Sequence, residues 1–233
     1  MNRRDIKKIA WFGSSWVLGT ELEKASELGL GIDQDLFRQQ NRFSYCVSQH
    51  FGCYEINLAQ ECISSENITR KIVDYVNSPE FDKSTQMIFI VWPMIERYFW
   101  IDDKNHVHDI RYDNNHWWYR HVDNYFYRQY CFKRNVWSLQ NFFIANSIHY
   151  AMINGESKLD QNSIKQDFPS LPEANWILPP WERMSDWLNF DLDNGYPLAK
   201  EKHEFFWPCE NHPNVLGHVE LSKQIIPRME KFL

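Results

Sequence analysis

Two short blocks at opposite ends of this 233-residue chain carry the residue types for covalent chemistry. The first, Gly13-Ser14-Ser15-Trp16-Val17-Leu18-Gly19, directly follows the apolar run Ile9-Ala10-Trp11-Phe12. The second is His212-Pro213-Asn214-Val215-Leu216-Gly217-His218. A serine hydroxyl is a poor nucleophile until a neighbouring imidazole takes its proton. In a parallel α/β sheet, an early strand end and a late loop meet at one rim, so Ser15 and His212 are the candidate nucleophile and base. The Ser15 amide, at a helix start, could donate to the oxyanion of an attacked ester. Glu210 is the carboxylate nearest His212 in sequence and the candidate to fix its tautomer, as a third member must. Each block alone has a plainer reading: a serine can simply cap a helix, and a loop histidine can simply satisfy backbone carbonyls. His218, on the first turn of the last helix, reads as structural.

Other chemistries find less support. Asp102, Asp103, His106, His108, Asp109, Asp113 and His116 are rich in ligand types, but no HExxH-like spacing sets two on one face. The run reads as a solvated loop, and no metal or other cofactor is expected. Neither GxGxxG nor GxxxxGK[ST] is present. A formal net charge of -6 argues against nucleic acid as a partner. Aromatics crowd the stretch from Trp92 to Phe143, yet seven Lys or Arg there face six Asp or Glu, which is not the balance of a nucleic-acid groove. Five cysteines without a CxxC pair point to a reducing, cytoplasmic compartment. The apolar run Ile9 to Phe12 is far too short for a signal-peptide core or a membrane span.

The elements that would position these blocks alternate between strand and helix. Strands are predicted at Ile9–Phe12, Tyr54–Leu58, Met87–Val91 and His149–Ile153, the third apolar on both faces as in a covered sheet. Helices are predicted from Val17 to Leu28, around Phe43 to Phe51, after a Ser64 or Ser65 cap, from Trp118 to Ala145, and after an Asn214 cap, with Pro227 kinking or shortening the last. Asp33 to Asn41 reads as loop. The whole chain, 1–233, reads as one α/β domain with irregular insertions at about 93–117 and 155–206.

These residues resemble the SGNH or GDSL-type hydrolases, and more closely a phage-encoded branch whose first block reads Gly-Cys-Ser with a glycine four residues after the serine. Gly13-Ser14-Ser15 with Gly19, Phe51-Gly52-Cys53 followed by Ile56-Asn57-Leu58-Ala59, and His212-Pro213-Asn214 with Gly217-His218 carry the likeness. It implies a flavodoxin-like three-layer sandwich on a parallel sheet of about five strands, with Ser15 as nucleophile and His212 as base. It also implies an oxyanion site at Ser15 and Cys62, with Trp16, Asn57, Trp92, Glu96 and Arg97 around a substrate pocket.

Several positions depart from the family pattern. Cys62 stands where the family has an oxyanion glycine, so a side chain should crowd that spot. Ser64-Ser65 stands where the branch often has Ser-Asn. Val91-Trp92-Pro93, followed by Glu96-Arg97, replaces Gly-x-Asn and removes a side-chain amide donor. Cys209 replaces the usual aspartate, leaving Glu210 as a shifted substitute. Two readings follow. One is a serine esterase acting on a small or carbohydrate-borne acyl ester. The other is a catalytically degenerate member of the fold that binds or builds, in a phage particle or an infected cell.

Overall fold

The computed structural model describes residues 6–22, 33–95, 98–101, 107–110, 125–157, 159–167, 169, 175–188, 205–206 and 212–233, with 98–101 and 107–110 as backbone. Four parallel strands form the central sheet in the order β2-β1-β3-β6, where β1 is Lys8–Phe12, β2 Tyr54–Asn57, β3 Gln86–Trp92 and β6 His149–Asn154. A single parallel bridge between Met152 and Trp176 occupies the next place on the β6 edge. Met152 donates to the Asn175 carbonyl at 2.8 Å, and its own carbonyl accepts from Ile177 at 2.9 Å. Among the described residues the sheet is therefore four strands and a vestige of a fifth, in the chain order of flavodoxin-like folds.

Side chains alternate across each strand, and this builds two cores. Ile9, Trp11, Met87, Phe89, Val91, Ala151 and Ile153 face one side, with Phe43 and Val47 from α3 (Phe43–His50) and Leu221, Ile225 and Met229 from α7 (Val215–Met229). Ala10, Phe12, Ile88, Ile90, Trp92 and Met152 face the other, with Ile68 and Ile72 from α4 (Ser65–Val76) and Phe132, Val136, Leu139 and Phe143 from α5 (Tyr125–Asn146). Each of the larger aliphatic and phenyl side chains among these contributes about 1.5–3 kcal/mol of burial. The result is the expected three-layer α/β sandwich, with both sheet faces covered.

Several elements differ from the sequence reading. The helix expected from Val17 to Leu28 ends after one turn: α1 is Ser15–Leu18, and Gly19 closes it in the left-handed region at φ 78°. Residues 33–41 are not loop, because Asp33 accepts from the amides of Asp35 and Leu36 and so caps α2 (Gln34–Asn41). No residue of α2 is buried, and only Leu36 and Phe37 in it are apolar, so its sequence reads as polar loop. The first insertion carries regular structure, an antiparallel pair of β4 (Tyr98–Ile101) and β5 (Val107–Ile110). The second contains α6 (Gln161–Asp167) and a 3-10 turn at Met184–Leu188. α7 runs through Pro227 to Met229, since a proline in the last turn forfeits only one helical hydrogen bond.

Candidate active site

The β1–α1 junction leaves little room around Ser15. A Cβ at Gly13 would stand 2.4 Å from Val17 Cγ2 and 3.0 Å from the Val91 carbonyl, so the chain can turn this tightly only with glycine. Ser14 is the N-cap of α1, but its hydroxyl makes no capping bond. It donates to Glu156 Oε1 at 3.2 Å, a buried carboxylate just past the end of β6. Ser15 opens the helix, and its amide has no acceptor within that helix.

His212 reaches Ser15 from the opposite end of the chain. Pro213 bridges to Phe206, the Asn214 amide donates to the Phe205 carbonyl at 2.9 Å, and Asn214 Oδ1 caps α7 by accepting from Gly217 at 3.0 Å. These contacts hold the ring at the sheet rim, with Nε2 2.9 Å from Ser15 Oγ. On the other side of the ring, Nδ1 lies 3.0 Å from Glu21 Oε2. The contact is close without being a well-aligned hydrogen bond, the loose geometry common in catalytic sites before substrate binds. A proton on Nδ1 facing Glu21 leaves Nε2 free to accept the serine proton. The three side chains can thus make a hydroxyl nucleophilic and then return its proton to a leaving group.

The carboxylate beside His212 is Glu21, on the same segment as the serine. Glu21 sits at φ 71°, a left-handed conformation unusual for a non-glycine residue. Glu210 and Cys209 lie outside the described residues. The sequence does hold a signal for Glu21: Gly19 can end a helix in the left-handed region, and the next carboxylate then sits just beyond the break.

Cys62 keeps a glycine-like backbone at φ 58°, in the turn after β2. Gln60 donates to the Gly13 carbonyl at 3.0 Å, so that turn is tied to the serine loop. The Cys62 backbone therefore has the conformation a glycine would supply, with a half-buried side chain added. At the end of β3, Pro93 has no amide to give, and the Ser157 hydroxyl bonds the Pro93 carbonyl at 3.0 Å and accepts from the Ile95 amide at 2.9 Å. Asn154 donates to the carbonyls of Ser157 and Pro180, so this stretch of rim is braced internally.

Of the expected pocket residues, Trp16, Asn57 and Trp92 lie among the described residues. Trp92 is fully buried, edge-on to Phe132 in the α4–α5 core, because side chains alternate along β3 and its last one falls on that face. Trp16 is likewise core, packed against Phe206. Asn57 points beneath the serine turn, where its side chain donates to the Val17 carbonyl at 2.9 Å. Glu96 and Arg97 lie outside the described residues.

His218 is fully buried, stacked on Phe43, and its Nδ1 accepts from the Phe43 amide at 3.2 Å. Burial, aided by nearby His212 and Arg42, pushes its pKa from about 6.5 down to about 3, so it stays neutral. Among the described residues no group of three or more His, Cys, Asp or Glu could hold a metal. Of the Asp/His run, only His108 and Asp109 fall in the described backbone, on β5. No helix among the described residues is long and apolar enough to cross a membrane.

No family model matches the chain, and no curated protein matches it. Solved structures do. The chain is similar to the psychrotrophic esterase EstA from a Pseudoalteromonas species, in a structure inhibited by monoethylphosphonate, at 11% identity and TM-score 0.54 over 97% of both chains. It is similar to a GDSL-like lipase from Bacteroides thetaiotaomicron at 10% identity and TM-score 0.53, over 100% of this chain and 92% of that one. A third likeness is to a member of the lipolytic G-D-S-L family from Veillonella parvula, at 10% identity and TM-score 0.51, over 95% and 97%. The chain has the fold of the GDSL-type hydrolases.

Proposed function

We propose that this protein is a serine hydrolase of the SGNH or GDSL type that cleaves an acyl ester through a covalent intermediate on Ser15. His212 Nε2 takes the hydroxyl proton as Ser15 Oγ attacks the ester carbonyl, and the tetrahedral oxyanion rests on the backbone amides of Ser15 and Cys62. Collapse expels the alcohol, which leaves with the proton carried on His212. Water then enters, gives a proton to His212 and attacks the acyl-enzyme, and its collapse releases the acid and restores Ser15. Glu21 holds the Nδ1–H tautomer and offsets the imidazolium charge.

The observation that carries this reading is the line from Ser15 Oγ through the His212 ring to Glu21, with contacts of 2.9 and 3.0 Å. The substrate class is a small or carbohydrate-borne acyl ester, turned over in a reducing, cytoplasmic compartment, and the phage-like first block suggests a phage setting. A fluorophosphonate probe tests the chemistry: Ser15 is labelled in the wild type, labelling vanishes in Ser15→Ala, and it falls sharply in His212→Ala.

A second reading rests on the end of β3. Val91-Trp92-Pro93 offers no side-chain donor where the family pattern has an asparagine, and loss of one oxyanion donor costs about 3 kcal/mol in the transition state. A well-folded protein that takes no label would be a binding or structural module built on the same fold.

A further inference from the structure

Why the helix carrying Ser15 stops after a single turn is answered from β2. In a continuing helix the Val17 carbonyl would accept from the amide four residues on, at Glu21. Here that carbonyl accepts instead from Asn57 Nδ2 at 2.9 Å. Gly19 and Thr20 both fold back onto the Ser15 carbonyl, at 2.9 and 3.0 Å, and Gly19 and Glu21 take φ values of 78° and 71°. The chain reverses, and the reversal returns the Glu21 carboxylate to His212.

Asn57 is itself held in place. Its second amide hydrogen faces Ser44 Oγ at 3.2 Å and Glu55 Oε1 at 3.4 Å. Its own oxygen accepts from the Ala59 amide at 3.1 Å, which fixes the orientation of the amide plane. The Ser44 hydroxyl lies 2.5 Å from Glu55 Oε1 and 3.3 Å from the Val17 carbonyl, so its one proton goes to the carboxylate. Arg42 grips Glu55 with two nitrogens, at 2.6 and 3.0 Å, in a pair whose side chains are 12% and 2% exposed. Charge-assisted bidentate contacts of this kind are short and directional, which suits them to holding a geometry.

We infer that Asn57, anchored by Ser44 and the buried Arg42–Glu55 pair, is a positioning residue: by capturing the Val17 carbonyl it ends the Ser15 helix and so places Glu21 against His212. The inference rests on the serine-hydrolase reading for its catalytic consequence, but the placement of Glu21 has its own readout. With Glu21 at Nδ1, nitrogen NMR of the His212 ring shows the Nδ1–H tautomer in the wild type. Glu21→Gln and Asn57→Ala both shift it toward Nε2–H. Retention of the Nδ1–H tautomer in a folded Asn57→Ala protein overturns the inference, whether or not the protein hydrolyses anything.

The catalytic consequence is read by fluorophosphonate labelling at Ser15. Asn57→Ala slows labelling about 100-fold, the scale expected for a misplaced catalytic group. In a Glu21→Gln background the same substitution slows it less than threefold further, because the two act through one contact. Effects that multiply in full overturn the inference. If Asn57→Ala does not fold, Ser44→Ala runs through the same cycle, removing the oxygen that receives the second amide hydrogen; about a tenfold loss that disappears with Glu21→Gln supports the inference, and unchanged labelling overturns it. An unlabelled wild type defeats the hydrolase reading alone, and the tautomer measurement still decides the placement.

Discussion

Glu21 Oε2 lies 3.0 Å from Nδ1 of His212, so one short segment supplies the groups on both sides of that ring, with Ser15 at its start and Glu21 at its end. The arrangement has a cost. A non-glycine residue held in the left-handed region loses about 1–2 kcal/mol, and here surrounding contacts hold it there.

If Glu21 fixes the histidine tautomer, Glu21→Gln keeps the size of the side chain and loses the charge. Turnover of an ester substrate then drops on the order of 10³- to 10⁴-fold, the scale set by removing the acid from other such triads. KM changes little. Steady-state kinetics of Glu21→Gln beside Glu210→Gln checks the assignment: a larger loss from Glu210 would reassign the acid.

Cys62 carries a backbone that suits glycine, at φ 58°. Cys62→Gly is therefore neutral or stabilising by up to about 1 kcal/mol, whereas β-branched Cys62→Val destabilises by roughly 1–2 kcal/mol. Urea unfolding of both variants measures the difference. Because the Gly variant also clears the space beside the proposed oxyanion amide, its labelling rate should rise.

His218 makes stability pH-dependent. Burial holds its folded pKa near 3 against 6.5 when unfolded. Below pH 6.5 the unfolded chain binds a proton that the folded one refuses, so stability falls with falling pH, by about 1.4 kcal/mol per unit, until about pH 3. Between pH 6.5 and 5 the loss from this residue is about 2 kcal/mol. Chemical denaturation across that range should steepen with His218 present and flatten in His218→Gln; equal slopes would remove the assignment.

Removing one side of the Arg42–Glu55 pair strands a buried charge. Arg42→Met leaves Glu55 without its guanidinium and destabilises by about 3–5 kcal/mol. Replacing both, Arg42→Met with Glu55→Leu, recovers part of that loss, since no charge then stays buried. Denaturant midpoints of the two variants should fall in that order.

Much of the layout was legible in the chain. Ile9–Phe12 and Met87–Val91 are short, apolar and stopped by Gly13 and Pro93, and that pattern leaves few alternatives to buried strands. Once the strands are parallel, their C-terminal ends share a rim, so a serine after the first and a histidine before the last helix come within reach of one another. The caps at Ser64 and Asn214 were equally local, since a side-chain oxygen and an amide three residues on need nothing else.

What sequence could not decide depended on partners remote along the chain. Residues 17–28 look helical because propensity runs on through most of them, and the Asn57 contact from β2, beside the left-handed Gly19, takes the Val17 carbonyl out of the helix. Glu210 is the carboxylate nearest His212 in sequence, but nearness in sequence says nothing of nearness in space, and the carboxylate seen beside the ring is Glu21. Trp16 and Trp92 looked like pocket walls because their positions flank the blocks, yet which way a side chain faces is set by the turn of α1 at Trp16, by strand register at Trp92, and by what packs on each side of the sheet. Local hydrogen bonds and periodicity thus determined most elements and their order, while the placement of Glu21 beside His212 came from tertiary contacts, because a carbonyl can satisfy only the donors that the fold brings to it.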